Sequence, residues 1–331
     1  MIPGRPAMQS KTLRTLVTVM VIVLVAPLAA EAFAHALRWS PQGPEGRPRA
    51  ARDPTKRAQK HLRLEAYRGL GAWIDIYDGG KWRHPGRTVR RLHRRGVRTI
   101  FLQTTNYGSR GPIRYPGLTA RFLRAAHRRG LHVVGWYVPD FVHPRRDLRR
   151  SLAAIRFRSR GGHRFDSFAL DIEANILPPG RRTRRLLRLS RAIRRAAGRH
   201  YPLGAITPSP RGMELSPSFW PGFPYARLAH HFDVFVPMAY WTYRTGAEGG
   251  ARRYISRSIE LVRRGTGRRA VPIHMIGGLA GPSGPAEVRG FVRAVRRSRI
   301  IGASLYDADT SSRRDWRMLR RIPEPAGSSA G

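Results

Sequence analysis

Eight β-rich runs alternate with eight amphipathic stretches along this chain, over about 250 residues. The apolar runs are 70–77, 97–103, 131–138, 165–173, 202–207, 233–240, 270–276 and 300–306. The Arg-rich stretches between and after them are 86–95, 117–129, 144–157, 181–197, 224–230, 248–264, 285–298 and 312–321. Gly96, Gly130, Gly198 and Gly265 sit where helix C-terminal caps belong. Eight β-then-α units of this size predict a (β/α)8 barrel, a single domain over 67–322. A doubly wound open sheet is the runner-up, but it needs a Gly-rich loop after its first strand, and none is there. Gly161-Gly162 precedes a strand and reads as a turn.

The ends read differently. Arg5, Lys11 and Arg14 precede the apolar run Leu16 to Ala26, and Ala32-Phe33-Ala34 follows. A basic, then apolar, then small-residue order predicts a signal peptide over 1–34 cut after Ala34, with an uncleaved anchor as the alternative. The apolar run is shorter than the roughly 20 residues of a membrane span. Residues 35–66, rich in Pro, Arg and Gly, read as a disordered linker, and 323–331 as a disordered tail. The expected location is therefore secreted or attached to the cell envelope.

The chain has 63 Lys plus Arg against 20 Asp plus Glu, a net charge of +43. Lysine occurs only at 11, 56, 60 and 81, so nearly all of this charge is arginine. Arginines such as Arg87, Arg90, Arg91, Arg94 and Arg95 fall at exposed helical positions and read as a solvated surface. Such a surface is compatible with an anionic cell envelope. With no recognition helix, zinc finger or RNA-binding signature, no specific nucleic-acid partner is expected. The chain has no cysteine, which excludes disulfides, thiolate metal sites and a cysteine nucleophile.

Against that background the run Phe165-Asp166-Ser167-Phe168-Ala169-Leu170-Asp171-Ile172-Glu173 stands out. Side chains alternate along a strand. Phe168, Leu170 and Ile172 therefore share an apolar face, and Ser167, Ala169, Asp171 and Glu173 share the other. Barrel enzymes build their sites at strand C-terminal ends. There the chain places seven of its 20 acids: Asp75, Asp78, Asp140, Asp171, Glu173, Asp307 and Asp309. Aromatics gather at the same ends, with Trp82, Trp136, Trp220 and Trp241, and Phe219, Phe223 and Tyr225 in the loop after the fifth strand. Flat rings beside carboxylates suit sugars.

Glycoside hydrolysis needs a proton donor and a second group that stabilises the cationic transition state. Two close carboxylates cannot both ionise cheaply, so one pKa rises. That makes Glu173, nearer the mouth, the expected general acid and Asp171 its catalytic partner. The expected substrate-binding residues are Asp75, Tyr77, Gln103, Trp136, Asp140, Met238, Tyr240, Trp241, Tyr306 and Asp307. Histidines do not make a metal pattern, no G-x-S-x-G elbow is present, and neither metal nor cofactor is expected. His274, near the end of the seventh strand, is the one histidine placed close to the site, and a core histidine is the favoured reading of it.

The fourth run resembles the D-x-x-D-x-D-x-E signature of the chitinase-like family 18 glycoside hydrolases. Asp166, Asp171 and Glu173 match, and Ala169 stands where that family has an Asp. Met238-Ala239-Tyr240 resembles the family's M-x-Y, with Trp241 in place of a following Asp. The resemblance implies that Glu173 donates the proton, that Asp171 orients the substrate's own N-acetyl group, and that Tyr240 hydrogen-bonds it. Asp75 with Leu170-Asp171-Ile172-Glu173 is similar to family 25 lysozymes, which cut peptidoglycan. Gly71-Ala72-Trp73-Ile74-Asp75 and Phe235-Val236-Pro237-Met238-Ala239-Tyr240-Trp241 also look like bacterial barrels of the glycoside hydrolase type. The implied substrate is a polysaccharide or peptidoglycan. A non-catalytic glycan-binding barrel is the alternative, favoured by Ala169, and a binder of anionic polymers or nucleic acid, driven by the arginines, is a third.

Overall fold

The computed structural model describes residues 64–242, 244 and 248–322. The expected signal peptide, nearly all of the linker and the tail lie outside them. Eight parallel strands run in the order β6-β5-β4-β3-β2-β1-β8-β7. They are β1 (Gly69–Ile74), β2 (Thr99–Asn106), β3 (His132–Val138), β4 (Ser167–Asp171), β5 (Leu203–Thr207), β6 (Val234–Pro237), β7 (His274–Leu279) and β8 (Gly302–Tyr306). Bridges Phe235↔Ile273 and Met238↔Ile276 join the two end strands and close the (β/α)8 barrel.

The helices are α1 (Gly79–Arg83), α2 (Pro85–Arg94), α3 (Pro116–His127), α4 (Pro144–Ile155), α5 (Pro179–Ala197), α6 (Pro210–Leu215), α7 (Tyr225–Leu228), α8 (Glu248–Thr266), α9 (Pro285–Ser298) and α10 (Arg313–Leu319). Six of them open on proline, whose fixed φ and missing N–H suit the first helical position. Gly96, Gly130 and Gly198 have positive φ just beyond α2, α3 and α5. Gly265 does not cap its helix. It lies inside α8, where a Cβ would meet the Tyr225 ring at 2.6 Å, and the positive φ belongs to Gly267. Two short helices, α1 and α6, occupy segments expected to be loop. Ser209 starts α6 by accepting the Gly212 N–H at 3.1 Å.

The strand alternation sorts side chains into two cores. Phe168, Leu170 and Ile172 pack outward with the helices. Ala169 packs inward with Trp73, Phe101, Val134, Trp136, Ile206, Val236, Met238 and Ile276. This apolar filling makes the barrel a packed core with a mouth at one end. Its closed end is sealed by Leu64 and a single 3-10 turn, Glu65–Tyr67, so the linker's last residues belong to the barrel. The Tyr67 hydroxyl donates to Ser167 Oγ at 2.6 Å, and Ser167 donates on to the Pro202 carbonyl. His274 Nδ1 donates to the Tyr67 carbonyl at 2.8 Å, and its Nε2 accepts from Ser304, whose oxygen accepts from Trp73 Nε1. Burial holds the His274 pKa down to about 4, so the ring is neutral, a satisfied core histidine, but at the start of β7 in the closed end and not near the strand's end as expected.

Candidate active site at the strand C-termini

The inward positions at the ends of β4, β6, β8 and β1 converge on the open end of the barrel. β4 delivers Asp171, 5 % exposed, and Glu173 follows, partly buried. Asp171 Oδ1 is buried without a hydrogen-bond partner. One step down the same face, Ala169 offers it no polar atom. Burial raises Asp171 well above the ordinary carboxylate range, and the charge of Glu173 adds to the rise. Burial pushes Glu173 up to about 7. The pair therefore reaches neutral pH still holding a proton. Arg182 fixes the loop behind it. Its guanidinium stacks 3.7 Å from the centroid of Trp220 and donates to the Ala174 and Phe219 carbonyls.

Tyr240 follows β6, and its hydroxyl stays protonated. Burial raises its pKa first, then the charges of Glu173, Asp171 and Asp307. Its ring centroid lies 6.2 Å from that of Tyr306 at the end of β8. Trp73, almost wholly buried, forms the floor below: it stacks on Phe101 at 4.2 Å and meets Trp136 edge-on at 5.6 Å. Trp136 Nε1 is a second buried polar atom with no partner.

Tyr306 links this pair to a second group of acids. Its hydroxyl donates to Asp75 Oδ2 at 3.1 Å, while Asp75 Oδ1 accepts the Tyr77 N–H at 2.6 Å. Carboxylate oxygens of Asp75, Asp78 and Asp307 all lie within 4.8 Å of one another, an all-oxygen set of the kind a hard cation takes. Burial raises Asp75, opposed by the Tyr77 bond and reinforced by the Asp307 charge. Asp78 is pushed up to about 9 by burial and then by the charges of Asp75 and Asp307.

This crowding has a measurable consequence. The folded chain keeps a proton on Asp78 between the ordinary carboxylate range and about pH 9, where the unfolded chain has released it. Stability therefore falls as pH rises through that window. Asp78→Asn keeps the oxygen that accepts the Asp75 N–H and removes the charge. In buffer containing a chelator it raises Tm by about 2–4 °C at pH 8 and leaves Tm unchanged at pH 4. A variant less stable than the wild type at pH 8 would contradict this reading of the cluster.

The remaining expected site residues divide. Met238 faces inward beneath Tyr240, 4 % exposed. Gln103 is buried and accepts the Ile76 N–H at 2.9 Å, which fixes the turn after β1. Tyr77 turns out of the barrel, 59 % exposed, and accepts from Asn106 Nδ2. Asp140 faces the start of α4. Burial would raise it, but hydrogen bonds from His143, Arg146 and Val142 hold it below the ordinary range. Asp309 pairs with Lys81. Trp241 is fully buried behind the barrel wall, 5.3 Å from the Phe291 ring and against Gly277 and Gly278, so it lines no mouth. Trp82 and Trp220 likewise belong to the outer core. Asp166 lies at the closed end, bonded to His127 and the Val133 N–H, which fastens β4 to β3. Trp73 and Arg182 join the site although the sequence reading gave them no role, and Asp78, read there only as one of the rim acids, joins Asp75 and Asp307.

No family model matches the chain, and no curated protein matches it in sequence. Solved structures match it in fold. The endo-beta-1,4-mannanase from Thermotoga petrophila aligns at a TM-score of 0.58 over 79 % of this chain and 77 % of its own, with 10 % identity. The Bacillus cereus spore cortex-lytic enzyme SleL aligns at 0.57 over 77 % and 74 %, with 9 % identity. The glycoside hydrolase family 18 N-acetylglucosaminidase from Paenibacillus barengoltzii aligns at 0.54 over 77 % and 100 %, with 12 % identity. The (β/α)8 barrel is the fold this chain shares with these glycoside hydrolases.

Proposed function

We propose that this chain is a secreted glycoside hydrolase that cleaves a β-linked, N-acetylated glycan of a cell wall. The observation that carries the reading is the Asp171–Glu173 pair at the mouth, raised in pKa and with Asp171 Oδ1 lacking any protein partner. A buried acid pair without a compensating cation is costly, and no Lys or Arg of the described residues is placed on it. The names of the similar folds, a mannanase, a cortex-lytic enzyme and an N-acetylglucosaminidase, support glycan chemistry. The leader-like N-terminus supports secretion.

In this mechanism protonated Glu173 gives its proton to the leaving glycosidic oxygen. Asp171 Oδ1 accepts the N–H of the 2-acetamido group, and the Tyr240 hydroxyl donates to that group's carbonyl oxygen. As the bond from the anomeric carbon to the leaving oxygen breaks, the acetamido oxygen bonds to the anomeric carbon as internal nucleophile. Water, giving its proton to Glu173, then opens this intermediate, the substrate-assisted course. The large apolar side chains exposed among the described residues, Tyr77, Tyr107, Ile176 and Leu215, all lie in segments that follow strand C-terminal ends. They widen the mouth into a surface on which further sugars rest.

The second reading is a glycan-binding barrel without catalysis, favoured by Ala169, which leaves Asp171 without a carboxyl neighbour on its strand. Purified protein incubated with peptidoglycan and with N-acetylglucosamine oligosaccharides separates the two. Hydrolysis produces new reducing ends; binding without them establishes the binder.

A further inference from the structure

At the closed end of the barrel, opposite the acids, a groove of about 300 Å³ runs between α2 and the end of α10. Its buried floor is Leu70 and Ile322, and its walls are His93, Arg94, Arg98 and Arg320. None of the lining residues is acidic. Gly96, with φ +80°, makes the turn between α2 and β2, and a Cβ there would touch Arg320 Cγ at 3.5 Å. Arg320 is fixed in place by donating to the Arg94 carbonyl. Positive charge is crowded next door as well. Arg95 lies 4.9 Å over the Trp316 ring, and burial and then the charges of Arg91 and Arg313 lower its pKa.

We propose that this groove binds the phosphate of a phosphate-bearing polyol or glycan polymer. Three arginines around one small concavity offer several charge-assisted donors to a single phosphate, beside the His93 ring. The Leu70 and Ile322 floor takes the C–H face of the attached polyol or sugar. A bilayer fits less well. The concavity admits one polyol phosphate unit, and the exposed large apolar side chains of the described residues lie at the mouth, away from the groove. The site holds the chain to an anionic wall polymer by its closed end and leaves the mouth free. It rests on the secreted location proposed above and not on the glycosidase chemistry, so loss of cleavage leaves it standing.

The difficulty in testing it is the general positive charge, so the control removes equal charge elsewhere. One variant carries Arg94→Gln and Arg98→Gln. The other carries Arg188→Gln and Arg191→Gln, on exposed positions of α5. Each is sedimented, at physiological salt, with walls bearing a poly(glycerol phosphate) polymer and with the same walls stripped of phosphodiesters. The groove variant loses about tenfold in affinity for the phosphate-bearing walls, and the control less than about twofold. Both bind stripped walls as the wild type does. Millimolar inorganic pyrophosphate releases the wild type, a readout that needs no variant. Equal losses in the two variants, undiminished wild-type binding to stripped walls, or tighter binding to phosphatidylglycerol vesicles overturns the proposal.

Discussion

Glu173→Gln abolishes glycan cleavage, with a fall in kcat of about a thousandfold, within the span that positioned acid catalysis commands. The amide is nearly the same shape as the carboxylic acid, so glycan binding stays near wild type and Tm does not fall. What it loses is a transferable proton on the group that burial brings to about 7. Burial, the larger cause of the Asp171 rise, remains in the variant, and only the smaller contribution of the Glu173 charge is removed, so Asp171 stays raised but less so. Its unpartnered oxygen remains available to a substrate N–H. The signature of this variant is therefore retained affinity with lost turnover, because the proton moves only in the transition state. Loss of affinity and activity together would instead place Glu173 among the binding contacts.

The second large effect lies at the other end of the barrel. Gly302 opens β8 where the 3-10 turn seals the closed end. A Cβ there would overlap the Tyr67 carbonyl oxygen and come within 2.5 Å of His274 Nδ1 and 2.8 Å of the Gly69 oxygen. Two of these neighbours are backbone, and the third is a ring held by hydrogen bonds to Tyr67 and Ser304. None can yield without opening the seal. Gly302→Ala therefore costs about 3 kcal/mol by overpacking. Thermal unfolding followed by circular dichroism shows it as a Tm drop of roughly 6–12 °C. A Tm within a degree of wild type would mean that the turn does not seal the barrel.

The fold was legible because its signals are local. Glycine at helix ends and period-two alternation in the strands each act over a few residues. Phe168, Leu170 and Ile172 face out and Ala169 and Asp171 face in, as the alternation in that run requires. The same rule places Trp241 outside: Met238 and Tyr240 point in, so Ala239 and Trp241 point away. The attraction of a tryptophan at a strand end hid that. The acids were harder to read. Asp140 is taken by His143 and Arg146, three and six positions further on, and Asp309 by Lys81 across 228 positions, a pairing that no local pattern reports. Asp78 joins Asp75 and Asp307 because strands far apart in sequence end side by side. The Arg94–Arg98–Arg320 groove escaped for the same reason, since α2 and α10 lie at opposite ends of the barrel sequence.

The central claim is that a protonated Glu173 drives glycan hydrolysis at this mouth. The pH dependence of kcat/KM for reducing-end release from peptidoglycan, measured for the wild type beside Glu173→Gln, tests it most directly. An acid that must carry its proton loses activity as pH rises through its own pKa, so the wild-type rate falls above a midpoint near 7. The residual rate of Glu173→Gln lacks that falling limb. A wild-type rate that stays level to pH 9, or a variant that keeps the same falling limb, would contradict the account.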